Sequence, residues 1–483
     1  MELKKLLLLL VSLLVYSSIH AQMQMGIAHD NVNVTENIRI NPAFSVDPIQ
    51  WIDIKAIGVY AFAGNNTAYM EKDSFNLLKW EFPNELTQNF NRNTSSGQIE
   101  SIIYGPAINV SLGKLSLGMS TAMRTYTYGR KLPQDITRAI IDGPQIPDYY
   151  GTVKDGSNYR VKSLTFGEVG INGGYMIYEM GGKVINIGAN VKYLFGVGGV
   201  NMLVDNYSYE LHDSTNSTIH NFSGKYSGTD FSFKNGKGVG VDLGITFEKK
   251  VNKKTFIPHH PNSKCKYTEY LYRVGFSVLD IGSIKFNNSA TRTVVNGNGP
   301  WSNYSEFNIS SIGGLISKAD SLVGNGITET STTYKAKLPL SFSLQFDYNI
   351  GRGLYVNAFA IYGAGLKNSF GAERVSMLAI TPRYETKRIG VAIPLSVNQF
   401  GNVGAGLSFR FWYLSFGIDN IVPVFFNVNV YRFDAYAQIK IPIFKSPRCR
   451  RKGLGETGWH FKDCSGPGAP QPRGKTKRDY RYH

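Results

Sequence analysis

A chain of 483 residues with 42% hydrophobic and 13% aromatic side chains, 51 glycines and 29 tyrosines is neither disordered nor helical-membrane in composition. Past residue 21 no apolar run reaches the roughly 20 residues that a membrane-spanning helix needs. A formal charge of +17 would suit nucleic acid, an anionic envelope polymer or an acidic partner, and an export signal at the N-terminus excludes the first.

That signal occupies residues 1–21. Lys4 and Lys5 carry its charge, Leu6 to Val15 its apolar core, and Ser17 to Ala21 a polar exit of small residues, with cleavage expected after Ala21. No cysteine follows the cut, so a lipid anchor there is not expected. The exported chain carries Cys265, Cys449 and Cys464 into an oxidising compartment.

From residue 51 onward the dominant signal is period-two alternation. Between Val239 and Phe247 every odd position is apolar and every even one is Gly, Asp or Thr. In 341–350, Phe342, Leu344, Phe346, Tyr348 and Ile350 oppose Ser341, Ser343, Gln345, Asp347 and Asn349. Segments 185–195 and 272–278 behave in the same way. Fourteen strands are predicted: 52–63, 103–112, 115–127, 163–178, 183–195, 237–248, 269–280, 339–350, 353–363, 375–385, 388–396, 402–410, 412–419 and 431–444. Connections after even-numbered strands are mostly tight (Gly113-Lys114, Gly181-Gly182, Gly351-Arg352-Gly353). Those after odd-numbered strands include the polar tracts 64–102, 128–162, 196–236 and 281–338, which read as exposed loops.

Even strand number, one-sided long loops and ~10-residue strands are the pattern of an outer-membrane barrel, whose closure leaves no backbone group unpaired in lipid. The predicted fold is therefore all-β: a closed antiparallel transmembrane β-barrel over 51–444, with both termini periplasmic. A soluble sandwich or propeller also alternates, with its apolar face inward. Two features favour lipid outside. The polar faces are rich in Gly, Ser, Asn and single charges (Asp242, Arg273, Asp347, Arg410), which suits a wet lumen, and no internal repeat is visible. Gly196, Gly198 and Gly199 read as a loop hinge.

The last strand alternates up to Phe444, where the inner membrane boundary is expected. The tail 445–483 then carries eleven Lys or Arg against Glu456, Asp463 and Asp479. Rich in Gly and Pro, it reads as extended, either plainly solvated or as an arm for an anionic envelope partner through Arg448, Arg450, Arg451, Lys452, Arg473, Lys475, Lys477 and Arg478. The connection 249–268, also basic, falls on the same side and holds Cys265. Cys449 can pair with Cys464, or Cys265 with either of them. His259, His260 and His460 match no standard zinc spacing, and no metal or cofactor is expected. Gly453 to Gly458 fits G-x-G-x-x-G but lacks the strand and helix that a nucleotide loop needs. His212 beside Asp213 is a weak catalytic pair, and no enzyme activity is expected.

Just past the signal lies Ile40-Asn41-Pro42-Ala43-Phe44. It resembles the start of the FadL-like barrels, a group that includes fatty acid transporters and barrels tied to type IX secretion and gliding in Bacteroidetes, while VGFSVLDIGSIKF at 274–286 and SFGIDNI at 415–421 resemble recurring pieces of an uncharacterised Bacteroidetes outer-membrane barrel family. The resemblance implies that residues 22–50 form a plug or hatch built on Asn41, Pro42 and Ala43. Two functions follow as expectations. The first is an envelope-assembly or secretion-associated scaffold, with the loops on a surface partner and the tail on a periplasmic protein. The alternative is a channel for hydrophobic or amphipathic solutes, gated by 22–50.

Overall fold

The computed structural model describes residues 24–446 except 72–86, 90–92, 144, 254–258, 260–266, 288, 303, 305–311, 366–368, 402 and 423–427. The signal segment, Cys265, and the tail from 447 with Cys449, Cys464 and its eight candidate partner-binding cations lie outside the described residues.

The chain folds as one closed antiparallel barrel of fourteen staves. In chain order these are β1 (Ile52–Asn65), β2 (Thr94–Leu112), β3 (Leu115–Pro133), β4 (Val153–Met180) and β5 (Lys183–Leu211). Next come β6 (Asn216–Thr229 continued by Gly236–Lys250), β7 (Tyr270–Phe286 continued by Ala290–Ser302) and β8 (Ile327–Ser331, Tyr334–Lys337 and Ser341–Gly351). The last six are β9 (Leu354–Gly363), β10 (Met377–Glu385), β11 (Ile389–Ala392 with Leu395–Asn398), β12 (Val403–Ala405 with Leu407–Phe411), β13 (Leu414–Ile418) and β14 (Arg432–Ile443). Closure is by β14 on β1, in register from Ile52↔Ile443 to Gly64↔Arg432.

Period-two chemistry decides which face is which. In the last segment of β8 the serines, Gln345, Asp347 and Asn349 are buried, whereas Phe342, Leu344, Phe346, Tyr348 and Ile350 are exposed. On β14, Arg432, Asp434, Gln438 and Lys440 are buried and Ile439 and Ile441 exposed. A water-soluble sheet would bury the other set. An apolar exterior around a charged interior is stable where hydrocarbon surrounds the molecule.

The expectation of long irregular loops is corrected at three places. Residues 196–236 are mostly strand, and strand also runs through parts of 128–162 and 281–338: β4 runs 28 residues and β5 29. At ~3.3 Å per residue such a stave covers roughly 90 Å, far more than the ≈25 Å apolar band of a membrane barrel. Alternation of apolar residues stops where the hydrocarbon stops, but ladder hydrogen bonds continue, so the hydropathy pattern under-reads strand length. Gly196, Gly198 and Gly199 accordingly lie within β5 rather than in a hinge. Two helices pack on this extension. In α1 (Gln134–Ile141), Asp135 accepts from the Tyr207 hydroxyl at 2.7 Å; in α2 (Ile312–Val323), Asp320 pairs with Arg292 at 2.9 Å and accepts from Tyr226.

Candidate functional site

Residues 24–50 lie inside the barrel and are buried almost without a break. They touch staves around the whole ring. Met25 N–H donates to Asp419 (3.0 Å) and Gly26 N–H to the Tyr436 hydroxyl (3.2 Å) on the β13–β14 side. Asn31 donates to Glu385 on β10 through both its backbone and its side chain. Thr35 donates to Asp53 on β1 at 2.9 and 3.0 Å. Ion pairs join Asp30 to Arg410, Glu36 to Lys55, Asp47 to Lys250 and Arg39 to Glu168.

The Asn-Pro-Ala turn sits at the heart of this contact. Pro42 opens a 3-10 turn, Pro42–Ser45, and Asn41 caps it by accepting from Ala43 N–H at 3.0 Å. The other end of the Asn41 amide leaves the segment. Its Nδ2 reaches the Ile245 carbonyl (3.2 Å), the Phe276 carbonyl (3.3 Å) and Gln345 Oε1 (3.0 Å) on three successive staves. Glycine makes this approach possible. Gly188 on β5 and Gly244 on β6 are direct cross-strand partners. A Cβ at Gly188 would fall 2.5 Å from the Ala43 nitrogen, and one at Gly244 would overlap Asn41 and lie 2.9 Å from Pro42. Ser45 continues the contact by hydrogen-bonding Ser116 on β3, oxygen to oxygen 2.7 Å.

The four charges expected to face the lumen all lie buried on the inner face, engaged with protein. Asp242 accepts from Lys192 (2.8 Å), Asn190 (3.0 Å) and the Asp280 N–H (2.7 Å). Asp347 binds Arg383 at 2.7 Å and the Tyr270 hydroxyl at 2.8 Å; Arg273 lies 3.4 Å from Asp347 and stacks on the Phe44 ring. Arg410 holds Asp30 and the Thr386 carbonyl. Arg410 and Arg273 thus engage the enclosed segment, through Asp30 and Phe44, whereas Asp242 and Asp347 are neutralised by other wall residues.

Sequence reading missed the hub of the upper interior. Asp280 pairs with Arg124 (2.8 Å), Lys192 (2.7 Å) and Arg374 (2.7 Å). It sits at a bulge between Val278 and Ile281, with φ of 59°, which turns both Leu279 and Asp280 inward. The signal was present, because Leu279-Asp280 breaks an otherwise strict alternation. Arg374 comes from the connection between β9 and β10, which folds down into the mouth. There Gly371 N–H donates to Asn201 at 3.1 Å, Lys162 pairs with Glu373, and Phe370 meets the Tyr334 ring edge-on. Arg124 also binds Glu168 at 3.0 Å, the carboxylate that holds Arg39. One ionic network therefore ties the mouth connection to the enclosed segment.

Between that segment and the wall lies a cavity of about 40 Å³, lined by Ile38, Arg39, Ile40, Tyr104, Arg124 and Glu168. At ~10–15 Å³ per water centre it holds about three waters. It extends to Ala107, Ile108, Met119 and Ser120, of which Ile108 and Met119 are exposed on the outer surface. Here the ladder is broken on both sides of β2. Register slips between Tyr104 and Ala107 against β3, and the pairing with β1 lapses between Lys55↔Ala107 and Gly58↔Tyr104 without a change of register. Gly105-Pro106 forms the interruption, and Pro106 has no N–H to offer.

In the connection after β5, Asp213 accepts from the Asn216 side chain (2.9 Å) and the backbone N–H groups of Thr215 and Asn216, which hold its carboxyl well below the usual range. It is a loop cap, and His212 bonds to Thr218 instead.

The model of a family of unknown function, DUF5723, matches residues 42–417. Comparison with curated proteins gives no match. Among solved structures, the Ralstonia pickettii toluene transporter TbuX is 10% identical with a TM-score of 0.38, over 83% of this chain and 92% of that one. The Pseudomonas putida toluene transporter TodX is 9% identical at 0.37, over 88% and 96%. The Escherichia coli outer membrane protease OmpT is 10% identical at 0.22, over 81% and 96%. Likenesses this distant carry nothing about what this chain binds.

Proposed function

The chain belongs to the family of unknown function DUF5723, a membership that brings no activity with it, and we propose from its geometry that it is an outer-membrane channel for small amphipathic or hydrophobic solutes, closed in this conformation by residues 24–50. The observation that carries this reading is the cavity. It is bounded by the enclosed segment on one side and on the other reaches outward-facing Ile108 and Met119, beside the Gly105-Pro106 break. Its lining is mixed, with Ile38, Ile40, Tyr60, Ile102 and Tyr104 among charged groups that include Glu36, Arg39, Glu100, Arg124, Glu168, Lys192 and Asp280. A solute with an apolar body and a polar end would meet both kinds of group there once the segment withdraws. The ionic character of the segment–wall contact suits a gate. Charges on the wall that pair with Asp30, Glu36 and Asp47 lose those partners on opening but gain water, whereas an apolar wall would be left exposed. The short connections and both ends of the barrel chain would face the periplasm.

The scaffold reading leaned on the basic tail, which lies outside the described residues, and no observation within the barrel favours it.

The test is a lock. Ser45 and Ser116 oxygens are 2.7 Å apart, so Ser45→Cys with Ser116→Cys, in a chain whose Cys265, Cys449 and Cys464 are serine, should form a disulfide between segment and wall. Cells carrying it should lose uptake of radiolabelled benzyl alcohol and octanoate under oxidising conditions and regain it with reductant. Uptake that is indifferent to the lock would remove residues 24–50 from any gating role.

A further inference from the structure

On the outer surface, just above the apolar band at the long-connection end, three lysines stand side by side. Lys237 on β6 is the direct cross-strand partner of Lys285 on β7, and Lys285 is the partner of Lys335 on β8. Lys337 lies one pair below, opposite Ser283. All four are exposed, and among the described residues none of their side chains makes an ion pair or hydrogen bond. Adjacent strands lie about 4.8 Å apart, so the three ammonium groups occupy a strip on the order of 10 Å long. Like charges directly opposite one another in a sheet repel, and a barrel wall has many positions where such charges could be separated.

The surroundings say what would relieve that repulsion. Lys237 pairs on its other side with Phe195, whose ring meets Tyr193 edge-on at 4.8 Å. Toward the barrel middle the next outward residue on β6 is Val239 and, past Ser283, Ile281 follows on β7, both exposed and apolar. Beside the row, the break in β6 at 230–235 projects Phe231 and Phe233, each 65% exposed, with Lys234 exposed next to them. Aromatic rings at the level where the apolar surface ends belong to the membrane–water interface. A cationic row at that height faces headgroups, with hydrocarbon below and water above.

We propose that Lys237, Lys285, Lys335 and Lys337, with Lys234, Phe231 and Phe233, form a binding site for an anionic lipid of the outward-facing leaflet that carries phosphate groups on a glycolipid headgroup. The ammonium groups take the phosphates, and the two phenylalanines seat among the upper acyl carbons. Orientation of this end toward the outer leaflet rests on the outer-membrane reading above; the site itself does not depend on solute passage.

The test uses the full chain and the variant Lys237→Gln/Lys285→Gln/Lys335→Gln, compared by native mass spectrometry with bisphosphorylated lipid A, with its dephosphorylated form and with inorganic phosphate. Wild type should retain the phosphorylated lipid, and the triple variant should lose at least about nine-tenths of that retention; neither should retain the dephosphorylated form. Thermal unfolding gives an independent readout. In detergent without lipid the variant should melt higher than wild type, because repulsion is gone, and in nanodiscs containing phosphorylated lipid A it should melt lower. A variant that holds lipid A as well as wild type, or whose melting shift has one sign in both media, overturns the proposal. Retention of inorganic phosphate equal to that of the lipid would also overturn it, since the leaflet would then play no part. Benzyl alcohol uptake by the triple variant should equal wild type, which separates this site from the channel reading.

Discussion

Gly188→Ala adds one methyl group to the inner wall and should loosen the enclosed segment. The new carbon would lie 2.5 Å from the Ala43 nitrogen, and the atoms in its way are the backbone of Pro42 and Ala43, which have no rotamer to turn aside. Overpacking of this kind costs about 1–3 kcal/mol. If the turn withdraws instead, Asn41 loses its contacts to Ile245, Phe276 and Gln345, at about 0.5–1.5 kcal/mol for each hydrogen bond. A net loss of about 2–4 kcal/mol from the closed state raises the open fraction roughly 30- to 700-fold, at about 1.4 kcal/mol per factor of ten. Amide hydrogen exchange read by mass spectrometry on peptides from 36–46 should accelerate by that factor, while peptides from β5 keep their protection. Gly173→Ala is the control, because its Cβ would meet Leu117 at an ordinary 3.9 Å. Equal exchange in the two variants would refute the argument that glycine is there to admit the turn.

Asp280→Asn leaves Arg124, Lys192 and Arg374 short of their shared counter-charge and should destabilise the mouth by about 3–5 kcal/mol; protease cleavage within 364–376 should rise first, ahead of global unfolding. Ala107→Leu adds carbon to a cavity of about 40 Å³ and should lower benzyl alcohol uptake several-fold without changing exchange in 24–50. His259, in the turn after β6, lies against the Pro48 carbonyl, and burial lowers its pKa from 6.5 to about 4. Because the folded form prefers the neutral ring, its contribution is present above pH 6.5 and is lost as pH falls from 6.5 through 4, by up to about 3 kcal/mol. Iodide quenching of Trp51, in a variant keeping that tryptophan alone, should increase over this window, and His259→Gln should flatten the response.

Much of the barrel could be read from residues because lipid and water impose opposite demands on neighbouring positions. Phe342 through Ile350 declared their faces in full, and so did Asp242, Arg273, Asp347 and Arg410. What sequence could not convey were distances between remote parts of the chain. Nothing near Asp280 names Arg374 as its partner, 94 positions away, and Gly188 looks like any strand glycine until the turn at Asn41 is laid against it. The extension of β4 and β5 was hidden for another reason. Beyond the hydrocarbon both faces of a strand can be polar, so the period that betrays it disappears.

Residues 24–50 precede every stave in the chain, yet they end up encircled by all of them. A ring already shut would have to take them in through one of its ends, whereas the seam that joins Ile52 to Ile443 and Gly64 to Arg432, if made last, closes around them. Its anchors at Asp53, Lys55 and Lys440 line that very seam. A molecule that zips up without residues 24–50 inside would be left hollow, with Lys55 deprived of Glu36 along that join.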